Sequence, residues 1–387
     1  MGPERLVGRL AATLLFAVAF GTNVPTPLLL VYRESLDLSA STLAAIFGVY
    51  ALGLAPSLLL GGPASDRFGR VRVLLPASVL VTAASLLFLA GSQALFLLFA
   101  ARFLQGLASG AVFSVGSAWL QELHAGTPDG ASRAARTASV AQTAGFCLGP
   151  LVSGLLATYG PLPLTLPYLV HVALMAAAVT ATLVIVGIGT RPEMPAGTSL
   201  LPRPGLDRPS RRIFGRIVVP TAVCVYAFPS VSVTVLPLVL PGRSGLVAFT
   251  GLLAALTLGT GTLVQPFAHR LAGHVGPIGA ALGALGFGVG VVAAAAESVA
   301  LVGVAGVLLG AGGGLCLNAG LTLVGRLAAP ERRGAVNGVF YTAAYAGFAA
   351  PWLATSFVDV SELALPLGVL ALVTAVTSVW LAARRSA

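Results

Sequence analysis

Gly62-Pro63-Ala64-Ser65-Asp66-Arg67-Phe68-Gly69-Arg70-Val71-Arg72-Val73-Leu74 is the stretch on which the fold turns. It packs Asp66, Arg67, Arg70 and Arg72 between two uncharged apolar runs, roughly 43–62 and 73–91. Each run has about the 20 residues that a helix needs to cross a hydrocarbon core about 30 Å thick. The charged stretch therefore reads as a tight turn at a membrane surface. Gly69 supplies the backbone freedom that such a turn needs. Asp66 is placed to pair with the neighbouring arginines and to cap the positive end of a facing helix.

The rest of the chain repeats this pattern. Its 387 residues are 57% hydrophobic and 9% charged, against about 25% charged in a soluble domain. A soluble globule has too little interior for so much apolar surface. A bilayer removes that limit but forbids unpaired backbone facing lipid, so only helices or a closed barrel remain. The apolar runs are continuous and lack the period-two alternation of a barrel. The expected class is an all-α polytopic membrane protein of 12 transmembrane helices in two pseudo-symmetric six-helix bundles. No cleavable signal is expected, because the first apolar run is long and leads straight into others.

The expected spans are 10–31, 43–62, 73–91, 94–119, 137–158 and 164–188, then 217–240, 245–265, 277–296, 299–324, 335–356 and 363–382. The domains follow: an N-terminal bundle over 1–188, a Pro- and Arg-rich cytoplasmic linker over 189–215, and a C-terminal bundle over 216–387. The halves read as a duplication. Ser41–Gly48 aligns with Ser244–Gly251, and Pro63–Arg67 with Pro266–Arg270. One residue of slip later, Gly106 and Gly110 meet Gly310 and Gly314, and Pro150 meets Pro351. A parallel six-plus-six repeat with a basic linker is a transporter architecture, with substrate expected between the halves near the midplane.

The net charge of +10 comes entirely from arginine. With a cytoplasmic N-terminus, nearly all of it falls on one side: Arg5, Arg9, Arg67, Arg70, Arg72, Arg133, Arg136, the six arginines between 191 and 216, Arg270, Arg326, Arg332, Arg333, Arg384 and Arg385. Arg33 and Arg243 fall outside. That asymmetry sets orientation, with both termini cytoplasmic, rather than marking a nucleic-acid surface. The all-Arg, Ala/Gly/Leu/Val-rich composition reads as a high-GC bacterial protein, hence the cytoplasmic (inner) membrane. Cys147, Cys224 and Cys316 lie in separate apolar runs and read as small buried side chains.

Three motifs add a family resemblance. The opening stretch resembles the loop between helices two and three of the major facilitator superfamily, G-x-L-A-D-R-x-G-R-R/K-x-x-L, departing at Ala64, Ser65 and Val71. Arg102-Phe103-Leu104-Gln105-Gly106 resembles R-x-x-Q-G in the superfamily's fourth span. Gly145-Phe146-Cys147-Leu148-Gly149-Pro150-Leu151-Val152-Ser153-Gly154 resembles the G-x-x-x-G-P-x-x-G-G motif of the 12-span drug:proton antiporters, with Ser153 in place of one Gly. Asn23-Val24-Pro25-Thr26-Pro27 loosely resembles a Pro-rich exporter segment. The C-terminal half carries decayed copies, with Gly306 at the place of Arg102 and His269 at that of Asp66.

The resemblance implies a monomeric secondary transporter working by alternating access, with Gly62, Asp66, Arg67, Gly69, Arg70 and Arg72 as a gate that latches the outward-open state. It implies a cavity lined by Asn23, Arg102, Gln105, Gln142, Tyr226, Asn318, Tyr341 and Tyr345, and helix packing through Gly145, Gly149, Pro150 and Gly154. Arg102, about 10 Å into its span, is a costly charge and a functional candidate by position; the plainer alternative is snorkelling to the headgroups. The tyrosines taken singly read as packing residues. A largely neutral cavity suits an uncharged or weakly anionic amphipathic small molecule.

The antiporter branch usually needs a buried acid, and Asn23 stands where many of its members carry one. The coupling candidates are therefore Asp66, Glu122 and His171. His171 is the most central group that titrates near neutral pH, and its plainer reading is a hydrogen-bonded packing residue. The expected activity is proton-coupled efflux, an antiport. An importer or uniporter of sugars or metabolites, or a non-transporting sensor on the same fold, are the alternatives. With scattered histidines, no HExxH and no acid pair, the chain does not read as an enzyme, a metal site or a cofactor protein. The expected partners are a small-molecule substrate, protons and lipid.

Overall fold

The computed structural model describes residues 3–124, 129–187, 205–240, 242–328 and 333–384. Most of the linker expected over 189–215 lies outside the described residues, with Arg191 and Arg203, as do Arg332 and Arg385. Among the described residues the chain is helical and contains no strand. The helices are α1 Pro3–Asn23, α2 Pro25–Ser35, α3 Ala40–Phe68, α4 Arg70–Leu89, α5 Leu95–Leu123, α6 Gly130–Tyr159 and α7 Leu166–Val186. Then follow α8 Arg208–Ile213, α9 Val219–Thr234, α10 Leu246–Leu263, α11 Val275–Ala296, α12 Val299–Leu327, α13 Arg333–Tyr345, α14 Ala350–Thr355 and α15 Ala364–Ala383.

Eleven helical stretches among the described residues are long and apolar enough to cross a membrane. Two of them bridge local breaks, Leu6–Ser35 through α1 and α2, and Arg208–Val239 through α8 and α9. The difference from twelve lies at the span expected over 335–356. There the chain runs as α13, a 3₁₀ turn at Ala346–Ala349, then α14 starting at the residue before Pro351. Pro351 has no N–H to donate back along a regular helix, so neither piece is long enough alone. The first span is broken for the same reason: Pro25 and Pro27 follow closely on Asn23, and α1 stops there. The C-terminal copy of the opening loop also differs, because Gln265–His274 is 3₁₀ where α3 remains α-helical to Phe68.

The chain divides into two compact units. One takes the described residues within Met1–Leu36 and Val49–Pro202, the other those within Asp37–Gly48 and Arg203–Ala387. In each, a glycine seam lets two helices meet backbone to backbone. In the first, a Cβ at Gly106 or Gly110 of α5 would strike the Tyr50 or Leu54 carbonyl of α3. In the second, a Cβ at Gly310 or Gly314 of α12 would strike the Thr257 or Gly261 carbonyl of α10. The glycines paired by the sequence repeat thus do the same work in both units. Small residues are the usual means of close helix approach in lipid. The outward faces remain apolar: Leu52, Val184, Leu372 and Val379 are all well exposed, as suits contact with hydrocarbon rather than water.

Candidate functional site

The break in α1 organises the first unit. A helix C-terminus leaves its last carbonyls without helical donors, and Pro25 removes the N–H that would serve Gly21. The Val24 N–H turns back to that carbonyl at 3.3 Å, and the motif on α5 supplies stronger donors. Gln105 Nε2 donates to the Gly21 carbonyl at 2.8 Å, and Arg102 Nη1 donates to the Thr22 carbonyl at 2.6 Å. Arg102 also donates to Gln105 Oε1 at 2.7 Å, which fixes the amide so that its NH₂ faces α1. The guanidinium lies 4.6 Å from the centre of the Tyr50 ring, within cation–π range. The negative end of the α1 dipole favours a cation here. Arg102 is 1% exposed and Gln105 fully buried. The pair is enclosed and engaged with α1, not extended toward the headgroups.

The antiporter-like motif on α6 packs on the same segment of α1. A Cβ at Gly145 would sit 2.5 Å from the Phe16 carbonyl, and one at Gly149 would strike that of Phe20. Pro150 and Gly154 are buried beside them, and Ser153 returns its hydroxyl to the Pro150 carbonyl at 3.2 Å. Asn23 donates across from α1 to the Phe146 carbonyl at 3.3 Å. Gln142, about a turn before Gly145 on α6, reaches Ser117 of α5 at 3.4 Å.

His171 on α7 is fully enclosed. Its Nε2 lies 3.1 Å from the Ala17 carbonyl, a group that only accepts, so this nitrogen carries the hydrogen. Its Nδ1 lies 2.7 Å from Ser85 Oγ, which donates to it when the ring is neutral. The ring stacks at 6.3 Å on Phe20. Both nitrogens are thus served inside the unit.

The opening loop forms a charged cluster. Gly69 has φ 96°, a left-handed value that suits glycine, and it starts α4. Arg70 then turns back to pair with Asp66 at 2.6 Å and with Glu122, at the end of α5, also at 2.6 Å. Its other guanidinium nitrogen reaches Ser65. Arg70 is largely covered, while both carboxylates are about half exposed. Arg67 lies over the Phe68 ring at 5.5 Å. Gly62 lies one turn before Asp66 on α3, and Arg72 stands outside the ion-paired group.

In the second unit, Tyr226 of α9 and Tyr345 of α13 stack at 4.6 Å and 12°, with their hydroxyls 3.4 Å apart. Phe348 joins both, and Phe47 stacks on Phe348 at 5.3 Å. Tyr341 lies 6.5 Å from Tyr345. All three tyrosines are half-buried. Asn318 on α12 is half-buried as well.

A family model of the Major Facilitator Superfamily matches residues 11–350. The chain belongs to that superfamily. It is 42% identical over 93 residues to the Multidrug resistance protein MdtL of Escherichia coli O45:K1 (strain S88 / ExPEC), and equally over the same length to that of Shigella flexneri serotype 5b (strain 8401). These matches span 23% of this chain and 23% of each relative. Among solved structures, a POT family transporter in complex with 5-aminolevulinic acid has a TM-score of 0.80 at 14% identity, covering 96% of this chain and 94% of that one. A peptide transporter POT in complex with sulfate gives 0.77 at 16%, covering 99% and 94%. At such identity these two establish the superfamily's fold and no more.

Within that fold, several contributors lie outside the motifs. Ser65 is a departure from the superfamily pattern yet binds Arg70. Tyr50, Thr22 and Ser85 belong to no motif; only their polar groups in mid-span mark them. The missing donors at Pro25 and Pro150 are legible by rule, since each proline identifies the carbonyl four residues earlier that needs a donor.

Proposed function

We propose that this superfamily member exports small amphipathic organic compounds by proton-coupled alternating access, as an antiporter in the bacterial inner membrane. The observation that carries the reading is the 42% identity to a multidrug resistance protein over 93 residues. The glycine–proline seat of α6 on α1 supports it, being the structural counterpart of an exporter-type motif. The bundles 1–188 and 216–387, joined by a cytoplasmic linker, serve as the moving bodies of a monomer, with both termini cytoplasmic. Asp66, Arg70 and Glu122 form the gate. Asp66 and Glu122 are the favoured proton acceptors, because they are half exposed and share one arginine, so protonating either changes the pairing of the other. Tyr226, Tyr341, Tyr345 and Asn318 offer the neutral, largely aromatic surface for substrate. Arg102 and Gln105 shape the site through α1.

The test is a pH-sensitive dye entrapped in proteoliposomes while amphipathic compounds are added. Compound-dependent proton release, absent from empty liposomes, is the expected result. Compounds that bind in a thermal-shift assay but move no protons would replace the antiporter with a uniporter or sensor.

A further inference from the structure

Pro150 lies in the middle of α6 and has no N–H, so the carbonyl of Phe146, four residues earlier, loses its helical donor. In a membrane helix such a carbonyl must find another donor. The one facing it comes from a different helix: Asn23 Nδ2, on the last residue of α1, at 3.3 Å. Asn23 is itself the residue at which α1 breaks, before Val24 and Pro25. Gly145 and Gly149 bracket Phe146 and let α6 lie on the backbone of α1 between Phe16 and Phe20. The contact is therefore made where the broken end of α1 lies closely on the proline turn of the continuous α6, and it joins the break in one helix to the missing N–H of the other.

We propose that Asn23 is a positioning residue whose amide serves as the donor missing at Pro150, tying the break in α1 to the weak point of α6 so that the two helices deform together. An amide suits this work because it donates at every pH, whereas an ionised carboxylate there would only accept. That work is distinct from the substrate-lining role that its sequence position suggests. The inference concerns the interior of the first unit and holds whichever compound the protein carries.

Cys147, next to Phe146 and half-buried, is a native reporter, since Cys224 and Cys316 are buried. The experiment follows the rate at which N-ethylmaleimide labels Cys147 in the purified full chain, read by mass spectrometry. Asn23→Leu, close in volume, is expected to speed labelling about fivefold, the factor that one hydrogen bond of ordinary strength corresponds to. Pro150→Ala returns an N–H to the Phe146 carbonyl, and in that background Asn23→Leu is expected to change the rate less than about twofold, the residue of a bond no longer needed. That rescue separates a missing donor from a packing defect, which the added N–H would not repair. Equal acceleration in both backgrounds, or none in the native one, overturns the proposal. If Asn23→Leu alone does not fold, recovery of a folded chain in the double variant supports the proposal, and failure to recover it overturns it.

Discussion

Arg102 Nη1 lies 2.6 Å from the carbonyl of Thr22, so a cation deep in α5 completes the end of a broken α1. Removing it strands the Thr22 carbonyl and the Gln105 amide oxygen in a dry interior, each at a cost of about 1–3 kcal/mol. Arg102→Ala is therefore expected to lower the unfolding temperature clearly and to abolish transport while the chain still inserts in the membrane. Arg102→Lys keeps the charge but not the planar fork and should fall between the two. Transport by Arg102→Ala at the native rate would remove the residue from the mechanism.

Asp66 and Glu122 compete for one guanidinium. The pairs are partly exposed, so each contributes less than about 1 kcal/mol to stability, and Asp66→Asn should barely shift unfolding. Its effect is expected at the proposed gate. Maleimide labelling of an Ala64→Cys probe is expected to shift toward the inward-facing pattern in Asp66→Asn and more strongly in Asp66→Asn with Glu122→Gln. Identical labelling in all three proteins would argue against a latch.

His171 has acceptor and donor already provided by Ala17 and Ser85. His171→Gln should cost about 1 kcal/mol for a lost hydrogen bond and leave the ratio of compound to proton flux unchanged. Loss of that ratio at normal compound flux would make His171 the proton carrier and displace Asp66 and Glu122.

Gly149 meets the Phe20 carbonyl with no room for a side chain. Gly149→Val is expected to destabilise by about 3 kcal/mol, the upper end for overpacking. Leu148→Ala, on the exposed side of the same turn, should stay within about 0.5 kcal/mol. Equal effects of the two, measured by thermal unfolding in detergent, would place the α1–α6 contact elsewhere.

Tyr226 and Tyr345 form a stacked pair. A double-mutant cycle with Phe and Leu replacements, read as thermal-shift affinity for the compounds that evoke proton flux, is expected to give a coupling of about 0.5–1.5 kcal/mol. Additive losses would leave the two tyrosines as packing residues.

The helices are legible in the sequence because lipid asks for uninterrupted apolar runs, and the glycine pairs Gly106/Gly310 and Gly110/Gly314 because the repeat aligns them. The pairing of Arg70 with Glu122 is not, since 52 positions separate them and only the return of α5 to the same surface brings them together. By sequence Gln105 is a polar neighbour of Arg102. Its donor role at Gly21 depends on the relative height of α1 and α5, which no local pattern carries. The motif on α6 reads as a contact surface, but its partner, Phe16–Phe20 of α1, is named nowhere in the motif itself. The place of Asn23 in span one sorts it with the cavity, and its hydrogen bond to the Phe146 carbonyl of α6 is not written in that position.

The interruption at Ala346–Ala349 bears on the parity of the chain. A polypeptide that crosses a bilayer an odd number of times ends on opposite sides, and the stretches long enough to cross number eleven among the described residues. Taken together, α13, the turn and α14 run about 23 residues, roughly 35 Å at helical rise and enough for one passage. Were that passage made, the count would be even, and the chain's end would return to the side on which it began. The sidedness of everything after Thr355 therefore hangs on a segment whose two pieces are each too short to cross, joined by a single turn of 3₁₀ backbone.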